Sequence, residues 1–130
     1  MANSWPKPKP GVPVAIAILE DVFPAINVSD EAPDPRAASY IIVSALPGAY
    51  NNPAFTEPRI LVECWASDSS TAEDMACTGI QAFKNATGKS FLGSFIHGCQ
   101  DIQGPTDYND PDIQDRRRCQ FHATLRVSTD

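Results

Sequence analysis

Positive charge is scarce in this chain. Sixteen Asp and Glu outnumber ten Lys and Arg, for a net charge of −6. Tight binding to nucleic acid depends on neutralising phosphates with a basic surface, so an acidic balance argues against it. Long hydrophobic runs are also missing. None approaches the ~20 apolar residues of a bilayer span, and the longest, residues 12–19, contains Pro13 and runs into Glu20 and Asp21. No small-residue cleavage pattern follows it, so it does not read as an export signal. The expected setting is a reducing cytosol, where disulfides are rare. Cys64, Cys77, Cys99 and Cys119 are then expected to serve as small core hydrophobes. The chain lacks the glycine-rich phosphate loops G-x-x-x-x-G-K-[ST] and G-x-G-x-x-G, and it lacks the G-x-S-x-G nucleophile elbow.

What is present suffices for one folded domain. The 130 residues are 42% hydrophobic, and a chain of this length buries about two-thirds of the surface it exposes when unfolded. No metal or disulfide is needed for folding. Residues 1–11, with Pro6, Pro8 and Pro10, form an N-terminal arm, because alternating prolines suit neither a helix nor a central strand. The arm is expected to be disordered alone or docked on a neighbour, with a single domain over 12–130.

Val14, Ile18 and Val22 recur at helical spacing after Pro13, which predicts a short helix over 13–22 that Pro24 stops. Short strands are expected over 25–28 and 40–45, the second rich in β-branched residues. Residues 46–58 hold three prolines and read as a long loop. In the strand over 59–66, Ile60, Val62 and Cys64 share one face while Leu61, Glu63 and Trp65 share the other. Ser70 to Glu73 fits a capping box opening a second helix with Ala72, Ala76, Ile80 and Phe83 inward and Gly88 as its stop. A weaker strand over 95–103 and a polar loop over 104–115 precede the final strand. There Cys119, Phe121, Ala123, Leu125 and Val127 alternate with polar residues. The expected fold is α+β: an antiparallel or mixed sheet of four to five strands with two helices packed on one face.

Candidate chemistry is thin. His97, Cys99, Cys119 and His122 could supply zinc ligands by type, but Cys119 and His122 lie three apart on a strand and face opposite ways, whereas zinc needs convergence. Asp107, Asp110, Asp112 and Asp115 resemble a calcium loop only in spacing, and the closing glutamate is missing. A catalytic cysteine needs an electropositive, partly open setting, which the sequence around the four thiols does not demand. No catalytic, cofactor-binding or metal site is assigned, and the chain is read as a non-enzyme. Arg116, Arg117 and Arg118 form the one basic cluster, read as local charge pairing or a subunit contact.

Two segments carry a family resemblance. One is the strand from Arg59 to Ala66 leading directly into a capped, alanine-containing helix. The other runs from Gly104-Pro105 through Asp110-Pro111 to Arg118 at the head of the alternating strand. In this order, and with the short first helix and acidic loop before them, they resemble the tail terminator (tail completion) proteins of siphophages, especially those infecting actinobacteria. The resemblance covers roughly residues 13–128. It implies a hexameric ring that caps the tail tube, stops its growth and receives the head connector. It also implies as partners the major tail tube protein and the head–tail connector proteins, and a location at the head–tail junction of a virion assembled in the host cytoplasm. DNA would pass through the ring without specific binding, with no membrane partner and no cofactor. The stretch from Ser4 to Pro10 departs from the family pattern as an extension.

A cyclic ring needs two different patches on each subunit. Tyr50 and Phe55 are candidates for one, as aromatics on a polar loop suited to docking. Asp107, Asp110, Asp112, Arg116 and Arg117 are candidates for salt-sensitive contacts with a neighbour or the tube. Two alternatives remain beside the terminator reading: another head-completion or connector protein, and a small cytosolic ligand-binding domain or enzyme, which would require a concave pocket with convergent polar groups.

Overall fold

The computed structural model describes residues 4–129. Helix α1 (Gly11–Val22) is followed by strands β1 (Asn27–Ser29), β2 (Tyr40–Asn52) and β3 (Phe55–Ala66). Helix α2 (Ser69–Asn85) then precedes β4 (Ser90–Phe91), β5 (Ser94–Asp107) and β6 (Arg117–Ser128). The strands order as β1-β2-β3-β6-β5-β4. Only the β1–β2 pair is parallel; the other pairs are antiparallel, so the sheet is mixed. Among the described residues the strands number six, not four to five. The extra strand, β4, has two residues held only by β5, too short for any alternation to register in the sequence.

Both helices cover one face, and the core lies between. In register across β2, β3 and β6, Ile41, Cys64 and Cys119 form one row and Val43, Val62 and Phe121 the next, all buried. From α1, Val14, Ala15, Ile18 and Leu19 meet them; from α2, Ala72, Met75, Ala76, Ala82 and Phe83 do so. Val22, expected on the buried face of α1, is exposed, because the buried stripe follows Val14–Ala15 and Ile18–Leu19 and leaves Val22 beyond it.

Three expectations are corrected. Residues 46–58 are no loop: they form the distal halves of β2 and β3, joined by a tight turn in which Asn52 Oδ1 accepts the Ala54 N–H at 2.8 Å. The prolines fit because Pro47 lies on an outer strand where the register slips between Leu46 and Ala49, Pro53 lies in the turn, and Pro58 sits between the paired positions Thr56 and Arg59. Strand β5 likewise continues to Asp107, with register shifts on either side of Gln103. There Gly104 has φ +122°, and a Cβ would stand 2.8 Å from the Gln120 carbonyl oxygen. Finally, α2 is capped by Asp68 rather than Ser70. Its carboxylate accepts the Thr71 N–H at 2.8 Å and the Thr71 hydroxyl at 3.0 Å.

Of the four cysteines, Cys64 and Cys119 are core residues, Cys99 is half-buried and Cys77 is exposed on α2. Cys77 therefore overturns its assignment to the core.

Candidate interaction surface

The helices leave the other face of the sheet open. Side chains there come from the alternate register: Tyr40, Trp65 and Arg118 in one row, Ser44, Leu61 and His122 in a second, Leu46, Arg59 and Thr124 in a third. At one end the rings of Tyr40 and Trp65 stack with centroids 5.7 Å apart. The Arg118 guanidinium lies 4.9 Å from the Trp65 ring and 4.7 Å from that of Tyr108, so it is held between two aromatic faces. Arg118 also pairs with Glu63 at 3.2 Å and donates through Nε to the Tyr108 carbonyl at 2.6 Å. Trp65 Nε1 donates to the same Glu63 carboxylate at 3.2 Å. This stack ties the segment between β5 and β6 to the sheet.

At the other end, Arg126 lies 4.6 Å from the Phe55 ring and pairs with Glu57 at 3.1 Å. Gln100 Nε2 donates to the same Glu57 oxygen at 3.0 Å. His97 stands edge-on to Phe95 at 4.9 Å and tilted against Phe55 at 6.0 Å. Between the two clusters, Pro47, Gly48 and Ala49 of β2 and Gln100 and Asp101 of β5 flank a depression of about 300 Å³ floored by Arg59 and Thr124. Arg59 donates to His122 Nδ1 through Nε at 3.3 Å and lies 3.1 Å from it through a terminal nitrogen. The face is thus a concave, polar trough in which the arginines of β3 and β6 are each held by a neighbour.

The sequence candidates scatter. Tyr50 faces the arm: its hydroxyl donates to the Pro6 carbonyl, and its ring meets Trp5 edge-on at 5.1 Å. Phe55 faces the open trough, so the two aromatics do not form one patch. Arg116 is committed internally, with Nε donating to the Ala37 carbonyl at 3.0 Å and a terminal nitrogen 3.2 Å from Asp115. Arg117 is exposed and donates to the Gln114 carbonyl at 3.3 Å. Asp110 accepts the Asp112 N–H at 2.9 Å in a local turn, and Asp107 lies at the end of β5 beside Cys119. The Arg118 stack was missed. Its members are all outward-facing residues in the sequence pattern, but nothing in the sequence says that β6 lies beside β3.

Among the described residues no three His, Cys, Asp or Glu side chains gather as a metal site, and no helix is long and apolar enough to cross a membrane. Burial raises the thiol of Cys64 far above its ordinary value, and raises those of Cys99 and Cys119 to about 11.

No protein-family model and no curated protein matches this chain. Among solved structures, a chain of the virion of a native gene transfer agent particle is similar in fold. The TM-score is 0.61 at 16% identity, over 86% of this chain and 85% of that one.

Proposed function

We propose that this chain is a structural virion protein that forms a ring capping the tail tube, ends tail polymerisation and offers the surface on which the head is joined. The observation that carries this reading is the fold shared, over nearly the whole of both chains, with a component of a gene transfer agent virion. The finer assignment to the tail terminator rests on the sequence resemblance of the Arg59–Ala66 strand with its following helix, and of the Gly104–Arg118 segment. The two ends of the sheet support it, since a heterologous ring needs two unlike surfaces. Its partners in this reading are further copies of itself, the major tail tube protein and the head–tail connector proteins, with DNA passing through the ring unread. The chain acts by assembly and not by catalysis.

The test is the mass of the purified protein in solution, alone and mixed with the matching tail tube protein. A ring of about six subunits, or a monomer that becomes a ring on tube ends, is the expected result; subunit contacts at the small end of the interface range can leave the free chain monomeric. A protein that stays monomeric and ignores tubes overturns the terminator assignment, and binding to a portal-side ring instead would move it to the connector.

A further inference from the structure

The two long edges of the sheet are uncovered and differ in charge. Strand β1 pairs with β2 only at residues 40–42, and β4 pairs with β5 only at Ser94 and Phe95. Ile96 bonds Gly88 and Lys89 through its carbonyl and N–H, and past it the outer side of β5 from His97 to Asp107 has no strand beside it among the described residues. That stretch carries Asp101 and Asp107 and no Lys or Arg. An edge left open over this length invites another chain.

On the far side of the sheet lies the N-terminal arm, which carries Lys7 and Lys9 and, through Pro10, no acidic residue. It is fastened to its own β2–β3 hairpin. The Tyr50 hydroxyl donates to the Pro6 carbonyl, Trp5 packs edge-on against Tyr50, and the Lys9 N–H donates to the Thr56 hydroxyl at 3.4 Å. Yet Trp5 stays 52% exposed. Among the described residues neither Lys7 nor Asp101 has an ion-pair partner. Pro6, Pro8 and Pro10 remove every second N–H, so the arm cannot extend a neighbour's sheet by a continuous ladder. Its contacts must run through side chains.

We propose that the arm of one copy docks on the open β5 edge of a second copy, with Lys7 and Lys9 set against Asp101 and Asp107 and the free part of the Trp5 ring laid on that strand. The occupant is a second copy because both halves of the complementary pair sit on one chain and, among the described residues, do not pair within it, the arm being fastened to its own hairpin. The head-to-tail contact pairs opposite charges and repeats around a ring. This rests on the reading of the chain as a ring subunit and names the surface that would join neighbours.

The test is zero-length carbodiimide crosslinking of an equimolar mixture of unlabelled and ¹⁵N-labelled full chain, at low salt, analysed by mass spectrometry. The expected product is a mixed-isotope peptide joining Lys7 or Lys9 to the β5 segment. Its yield falls with added salt, as expected for exposed charge pairs, and K7E/K9E, which removes the amines that carbodiimide couples, serves only as the blank. D101N, which keeps a residue type tolerated at the left-handed backbone of position 101 (φ 54°), lowers the yield of the link to Asp107, whose carboxylate remains, without unfolding. The swap K7E/K9E/D107K, at a position outside the left-handed region, restores a link with amine and carboxylate exchanged. Links confined to one isotope, or a yield indifferent to these changes, overturn the proposal. A ring on tail tubes without the arm–β5 link rejects this contact and leaves the ring reading standing; the link without a ring does the reverse.

Discussion

The Arg118 guanidinium lies 4.9 Å from the Trp65 ring, face on, at the end of the trough that the helices leave open. Because the same group bonds Glu63 and the Tyr108 carbonyl, it joins the β5–β6 segment to the centre of the sheet. Replacing Arg118 by Ala is expected to cost about 2 kcal/mol, from the lost cation–π contacts and the charge-assisted hydrogen bonds together. R118K should recover less than half of that, since an ammonium neither stacks nor forks. Urea denaturation followed by Trp fluorescence measures both, and proteolysis between residues 108 and 116 should quicken in R118A. An unchanged midpoint in R118A would rule out the stack as a stabilising element.

Helix α2 lies close to the sheet at Gly79. A Cβ there would stand 2.9 Å from the ring of the buried Phe121 and 3.4 Å from Leu19. Elsewhere in a helix Gly→Ala gains about 1 kcal/mol. Here the overpacking should prevail, and G79A is expected to be destabilised by about 1–2 kcal/mol. Thermal melts against a G88A control, where no atom lies within 4 Å but φ is +83°, separate packing strain from backbone strain.

The thiols should fall into distinct classes. Cys77 is exposed, whereas Cys64 and Cys119 are buried opposite each other on β3 and β6. Burial holds both of these thiols protonated, and the thiolate is the reactive form. Titration of native protein with a disulfide reagent at pH 8 is expected to modify Cys77 rapidly, Cys99 slowly, and Cys64 and Cys119 only after unfolding. Fast loss of all four would contradict the packing of the core.

Asp68 links the cap of α2 to pH. The bonds from Thr71 hold its carboxyl below the ordinary value of 3.8. With the folded value lowered, the stabilisation is fully present above the unfolded value and is lost as pH falls through the folded one. D68A should lower the melting temperature near neutral pH, and the gap between D68A and wild type should close as pH falls well below 3.8. A constant gap down to acid pH would assign the effect to something other than the ionised cap.

The scattered contact candidates make opposite predictions in assembly assays. Charge reversal of the exposed Arg117 should weaken ring formation or tube binding without changing stability, as rim charges do. Reversal of Arg116, whose side chain is mostly buried and bonded to Ala37, should destabilise the monomer. Replacing Tyr50 by Ser should release the arm, whereas Phe55→Ser should loosen Arg126. Sedimentation and thermal melts on the same samples distinguish loss of assembly from loss of fold.

Much of this protein was readable from residue order alone. The two helices, the inward faces of β3 and β6 and the α+β class follow from local periodicity, because burial of one face imposes a period of 3.6 or 2 on each segment independently of its partners. The capping of α2 was legible in kind but misplaced by two residues, since Asp68 and Ser70 are both competent and only the backbone path selects one. The tertiary structure alone decided the rest. Prolines at 47, 53 and 58 looked like loop punctuation, but the slipped register on the unpaired outer side of β2, the tight turn and an unpaired position of β3 take one each. The pairing of β3 with β6 brought Trp65 to Arg118, and the curl of the sheet brought Gly48 and Asp101 to one trough. These are contacts between residues some fifty apart in the chain. Local propensity carries no information about which strand lies beside which, because that choice is made by the collective burial of the core.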